Sequence, residues 1–139
     1  MSEEPKGPVV DLELRWERDL LFRGRAGALE IAIDGNTREA VSPVQMLAFA
    51  LASCMASDVV LILTRGRHPL QGLTAHLHAR RAAADPRRIL AVDLRFDIVG
   101  AVPPEAVQRA IDLSREKYCS VWHSMRQDIE LTVTWTIGS

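Results

Sequence analysis

The sequence predicts an α+β fold, and three observations carry that prediction. Several segments alternate apolar and polar residues with the period of a half-buried strand, and they fall in two groups. Between the groups runs a stretch of more than 20 residues, Ser42 to Arg67, that is apolar nearly all round. A second helical stripe precedes the last strand. Hairpin-linked strands with segregated helices define the class, here in the order β-β-β-α-β-β-α-(short α)-β.

The elements follow in chain order. Val9 to Glu17 (VVDLELRWE) places Val10, Leu12, Leu14 and Trp16 on one face of a strand. Arg18-Asp19 breaks it, Leu20 to Arg25 forms a second, irregular strand, and Ala28 to Asp34 a third that ends on the turn signature Asp34-Gly35-Asn36. Ser42 is a good N-cap, because its hydroxyl can accept a first-turn N–H. Pro43 then occupies the first helical position, where a missing N–H costs nothing. The helix ends before Gly66 and Pro69.

Leu70 to Arg81 and Ile89 to Val99 alternate as a long hairpin across the turn Ala84-Asp85-Pro86-Arg87. Leu90, Val92, Leu94, Phe96 and Ile98 face inward, and Asp93, Arg95 and Asp97 face solvent. Prolines 103 and 104 open a second helix whose stripe is Val107, Ala110, Ile111 and Ser114, and which runs to Tyr118. A short helix over Ser120 to Gln127 follows, then a closing strand from Ile129 to Ile137 with Leu131, Val133 and Trp135 turned to the core.

The chain has 139 residues, 47% of them apolar and 25% charged, which suits one globular domain spanning 9–139 after a disordered lead-in over 1–8. A net charge of −1 gives no electrostatic footprint for nucleic acid. The central helix approaches the length of a membrane span, yet Gln45, Ser53, Ser57 and Asp58 lie within it, and an acid at mid-membrane is costly. Burial in a soluble protein, away from any membrane, is therefore expected. One small sheet cannot cover such a helix, so a homodimer burying it from both sides is the economical arrangement. With two cysteines and no export signal, the expected compartment is the reducing cytoplasm, where thiols serve chemistry more often than cross-linking.

Cys54 and Cys119 lie 65 residues apart, so any contact between them is tertiary. Mid-helix among Leu51 and Met55, Cys54 can be a plain core residue, since free cysteine is among the most buried residue types. Cys119 follows one helix and starts another, with Arg115 and Lys117 nearby, a setting that favours a thiolate. Two such cysteines suffice for a peroxide cycle: one becomes a sulfenic acid and the other condenses with it to a disulfide. A metal site is the rival use, with Cys119 and His123 at i, i+4 and Cys54 as a third ligand, but no CxxC or HExxH spacing supports it. His76 and His78 share a solvent-facing strand side.

The segments SPVQMLAFALASC, SDVVLIL and DLSREKYCSV resemble the OsmC/Ohr family, in the OsmC-like branch related to bacterial YhfA, and the likeness runs from Leu14 to Ile137. That resemblance implies an intertwined homodimer whose central helices pack between antiparallel sheets. It implies a thiol peroxidase acting on organic hydroperoxides, reduced by a dithiol or a lipoylated protein and needing no metal or organic cofactor. By motif position Cys54 would attack and Cys119 resolve. The family also uses an arginine from the first hairpin, for which Arg18 is the candidate, and a glutamate early in the central helix. Here Val44 and Gln45 stand in its place, and neither ionises. The alternative is a non-catalytic dimer of the same fold that binds a small apolar or thiol-reactive ligand at the subunit interface.

Overall fold

A computed structural model describes residues 4–139, so the first three residues of the expected lead-in lie outside the described residues. Residues 4–12 carry no regular structure. The chain then forms two compact units, one ending at Met46 and the other spanning Leu47–Ser139.

The N-terminal unit holds an antiparallel meander: β1 (Glu13–Arg18), β2 (Leu21–Ala26) and β3 (Leu29–Asp34), in that spatial order. Gly27, at φ 62°, makes the turn between β2 and β3, a backbone region that a Cβ disfavours. The strand β1 starts later than the alternation suggests and is exposed along its whole length. Leu14 and Trp16 are 52% and 65% exposed: the alternation marks a face fit for burial, and the single chain leaves it open.

Asp34, at the end of β3, is buried and fastens the connection to the central helix. Its carboxylate accepts N–H groups from Asn36 (2.8 Å), Arg38 (3.1 Å) and Glu39 (3.0 Å), and these bonds hold its pKa below the ordinary aspartate value. The central helix α1 (Pro43–Arg65) opens with the expected Ser42 cap, made reciprocal by Gln45. The Gln45 N–H donates to Ser42 Oγ (3.2 Å) and the Ser42 N–H to Gln45 Oε1 (2.9 Å), a capping box.

In the C-terminal unit, α1 buries one stripe at i, i+4 spacing: Leu51, Met55, Val59 and Leu63. By length and composition alone α1 could cross a membrane, and 22% of its most apolar window is buried within the chain. Its serines and threonine bond to helix carbonyls, Ser57 Oγ to Ser53 O at 2.7 Å and Thr64 Oγ1 to Val60 O at 2.8 Å, so these hydroxyls sit in an apolar helix without open donors.

The second sheet has the order β4-β5-β6, with β4 (Leu70–Arg81), β5 (Ile89–Gly100) and β6 (Glu130–Gly138). Val92, Leu94, Phe96 and Ile98 of the central strand are all at most 1% exposed, on the face the alternation assigns to the core. Gly100 closes β5 at φ 135°, where an added Cβ would collide with the Pro69 carbonyl oxygen. β4 and β5 pair antiparallel as expected. β6, however, runs parallel to β5, from Ala91↔Glu130 to Val99↔Gly138, so this sheet is mixed rather than antiparallel. The connection explains it: a parallel return needs a crossover of a dozen or more residues, and here the crossover contains helices.

Those helices are α2 (Pro104–Leu113), a π-helical turn over Ser114–Tyr118, and α3 (Ser120–His123). α3 is one turn, shorter than the expected Ser120 to Gln127, because Gln127 donates back to the carbonyls of Trp122 and Met125 and closes the chain off.

Candidate functional site

The two cysteines meet inside the C-terminal unit. Cys54 projects from the middle of α1 and is half-buried, one residue from the buried Met55. Cys119 is fully buried at the junction of the π-helical turn and α3. Its backbone N–H donates to the Ser114 carbonyl at 2.8 Å, the bond that closes the π turn, and its extended backbone makes it the N-cap of α3. From that position Sγ accepts the Trp122 N–H at 3.4 Å. The Cys54 side chain lies near enough to raise the pKa of this thiol, although 65 positions separate them in sequence.

The electrostatics of Cys119 differ from the expectation. Position at a helix start with cations nearby predicts a stabilised thiolate, yet its pKa is pushed up to about 11. Burial is the main cause, and the Trp122 N–H only partly opposes it. Cys54 and the Asp58 carboxylate raise it further. Nor is Lys117 committed to the sulfur, since its ammonium stands over the Tyr118 ring, 5.3 Å from the centroid. Cys119 is therefore the thiol kept neutral.

One contact here escaped the sequence. Ser114, fully buried, donates its hydroxyl to Asp58 Oδ2 at 2.7 Å across 56 residues. Asp58 lies one helical turn beyond Cys54, and Ser114 begins the turn that ends before Cys119. Nothing local in either segment announces the pair; only the i, i+4 relation of Asp58 to Cys54 could have drawn attention to it.

Arg18 lies in the N-terminal unit, just after the β-bulge between Trp16 and Arg18. Its Nη2 donates to both carboxylate oxygens of Glu39 at 2.7 Å. The guanidinium thus has a carboxylate partner after all, supplied by the loop before α1 instead of by Val44 or Gln45 on the helix. Gln45 is already engaged in the cap.

Among the described residues no group of three His, Cys, Asp or Glu side chains is arranged to hold a metal ion, so His123 does not join the two cysteines as a ligand set. His76 does face solvent, with Nε2 3.2 Å from Asp97 Oδ2; the Thr136 hydroxyl also bonds that carboxylate and, with Arg95, keeps its pKa low.

A family model described as OsmC-like protein matches residues 34–134, which include both cysteines and the Asp58–Ser114 contact. The chain belongs to the OsmC-like family. Among its OsmC-like relatives, protein YhfA of Escherichia coli strain K12 is 35% identical over 131 residues, covering 92% of this chain and 98% of YhfA. The crystal structure of a hypothetical protein from Aquifex aeolicus VF5 superposes with a TM-score of 0.88 at 25% identity, over 95% of this chain and 98% of that one. An organic hydroperoxide resistance protein from Elizabethkingia anophelis shares the fold, with a TM-score of 0.72 at 16% identity over 97% and 100% of the two chains. The OsmC-like α+β fold expected from the sequence is thus the fold observed, with β6 as its parallel strand.

Proposed function

We propose that this OsmC-like protein is a cysteine-based peroxidase that reduces organic hydroperoxides, working as a cytoplasmic homodimer. The observation that supports it most is the pairing of two sulfurs in unlike settings, Cys54 half-exposed on α1 and Cys119 fully buried beside it. An attacking thiol must meet its substrate, whereas a resolving thiol has only to meet the first.

In the first step the Cys54 thiolate attacks the terminal oxygen of the hydroperoxide. An S–O bond forms, the O–O bond breaks, and the alkoxide leaves and takes up a proton as the alcohol. Cys54 is then a sulfenic acid. Next the Cys119 sulfur attacks that of Cys54; the S–S bond forms, the S–O bond breaks, and hydroxide departs with the Cys119 proton as water. A dithiol, free or as the lipoyl group of a partner protein, returns two electrons and two protons and is itself oxidised to a disulfide. No metal or organic cofactor enters this cycle. Arg18 is the proposed cation for the Cys54 thiolate, with Glu39 holding the guanidinium in place. The homodimer gives the unburied sides of α1 a partner, and the reading involves neither nucleic acid nor a membrane.

The deciding experiment titrates the reduced protein with one equivalent of cumene hydroperoxide and counts free thiols, with hydrogen peroxide in parallel. Loss of both thiols per subunit, faster with the organic peroxide, is the expected result. Cys54→Ser should abolish peroxide consumption, and Cys119→Ser should leave a single turnover. Sustained turnover in the Cys54→Ser protein, or thiols that survive the peroxide, would overturn the proposal.

A further inference from the structure

We infer that Asp58 is a positioning residue for the two-cysteine centre: its hydrogen bond to Ser114 clamps α1 to the π-helical turn that carries Cys119, and its carboxylate places a negative charge near the Cys119 sulfur. The inference rests on the peroxidase reading of Cys54 and Cys119 and assigns a role to two residues outside that cycle.

The geometry has three parts. Asp58 sits at i, i+4 from Cys54, so both side chains leave the same face of α1. Its Oδ2 receives the hydroxyl of Ser114, which is 0% exposed, at 2.7 Å. A buried hydroxyl bonded to a carboxylate is among the stronger neutral-to-ion contacts, and it anchors α1 to one defined point of the opposing segment. That point matters because the Ser114 carbonyl takes the Cys119 N–H at 2.8 Å. One residue therefore holds α1 through its side chain and Cys119 through its backbone. Insertion of a π turn lengthens the backbone ring by one residue and is common where a helix must aim a functional group.

The carboxylate also acts on charge. The groups that bear on the Cys119 sulfur are Cys54 and Asp58 from α1 and the Trp122 N–H from α3; Arg115, Glu116 and Lys117 lie on its own turn and are exposed or half-exposed. A negative charge near a buried thiol opposes its ionisation, here adding to burial, which is the main cause. Cys119 then reacts only once a sulfenic acid stands beside it, and its proton leaves with the departing hydroxide.

Asparagine and alanine separate the two effects. Asp58→Asn keeps an oxygen to receive the Ser114 hydroxyl but removes the charge. In a Cys54→Ser background, where Cys119 is the sole thiol, the pH midpoint of its alkylation by iodoacetamide should fall by roughly 0.3 unit on Asp58→Asn, giving about twofold faster alkylation below both midpoints. Asp58→Glu should restore the higher midpoint. Ser114→Ala removes the clamp but keeps the charge. In the two-cysteine protein it should slow diamide-driven formation of the Cys54–Cys119 disulfide about tenfold, and Ser114→Thr should recover most of that rate. Circular dichroism checks that each variant is folded, and if Asp58→Asn is not, the Ser114 arm decides. An unmoved midpoint or an unmoved disulfide rate in a folded variant overturns the inference. Neither readout needs peroxide turnover, so failure of the peroxidase reading would leave both intact and would be seen separately.

Discussion

Replacing Phe49 with aspartate tests whether α1 finds its missing cover in a second copy of the chain. Phe49 is 61% exposed on the helix face away from the Leu51–Leu63 stripe, and Leu47, Val60 and Leu61 are between 38% and 45% exposed. A phenylalanine side chain offers roughly 200 Å². About 120 Å² of Phe49 is then available for burial, worth about 3 kcal/mol at ~25 cal/mol per Å². A two-fold interface counts the residue twice, so losing it costs about 6 kcal/mol and weakens association by about four powers of ten. The entropy of bringing two chains together is the same before and after the substitution and drops out of the difference. Sedimentation equilibrium over nanomolar to micromolar concentrations reads the shift directly: a dimer for the unaltered protein and a monomer, or concentration-dependent dissociation, for Phe49→Asp. Identical sedimentation of the two proteins would refute the reasoning and assign the cover of α1 to something other than this face.

Three further outcomes are expected. Met55→Ala, at a position with 0% exposure, should destabilise the fold by ~2–5 kcal/mol and lower Tm by roughly 10 °C in thermal unfolding; a loss under 1 kcal/mol would mean the stripe is not packed as described. Cys119 should resist alkylation: with its pKa near 11 in place of the usual 9.0, its thiolate fraction at neutral pH is about a hundredfold lower than in the urea-unfolded chain, and mass spectrometry of iodoacetamide-treated protein should show the corresponding lag. Asp34 should contribute to acid stability. Because its folded pKa lies below 3.8, the contribution is complete above that pH and is lost as pH falls through the folded value; Asp34→Asn should remove that part of the acid transition, and an unchanged unfolding curve below pH 4 would count against the loop's role.

How much of this was legible in the sequence depends on how far each feature reaches along the chain. Val92, Leu94, Phe96 and Ile98 were readable because strand alternation is local and one face is fully buried. The Ser42 cap and Pro43 are readable for the same reason, and Gln45, three residues on, returns the bond to the Ser42 N–H. The direction of β6 was not readable, since Leu131, Val133 and Trp135 present the same face whether the strand runs parallel or antiparallel to β5. The alternation of β1 also read as burial, where one chain shows exposure; periodicity reports which face is apolar, not whether the same molecule covers it.

The cysteine site divides along the same line. Motif resemblance singles out Cys54 and Cys119 as candidates, but burial, which the motif does not report, reverses the thiolate expected at Cys119 from its helix start and its neighbouring cations. A one-turn helix supplies a single N–H to the sulfur, from Trp122, and that contribution is smaller than the cost of ionising a group with no exposure to water. The carboxylate that meets Arg18 is Glu39, not a residue at Val44 or Gln45: three N–H bonds to the Asp34 carboxylate, including that of Glu39 itself, fold the loop that presents it. Asp34 was visible in the sequence only as the first residue of a turn. Its structural consequence is a paired arginine, and for that reason Arg18 and Glu39 should behave as a unit: under the peroxidase reading, Glu39→Gln and Arg18→Ala should each slow peroxide consumption, and the double variant should be no slower than Arg18→Ala alone. Independent, multiplying losses would show that the two side chains act apart and that their 2.7 Å contact serves the loop rather than the chemistry.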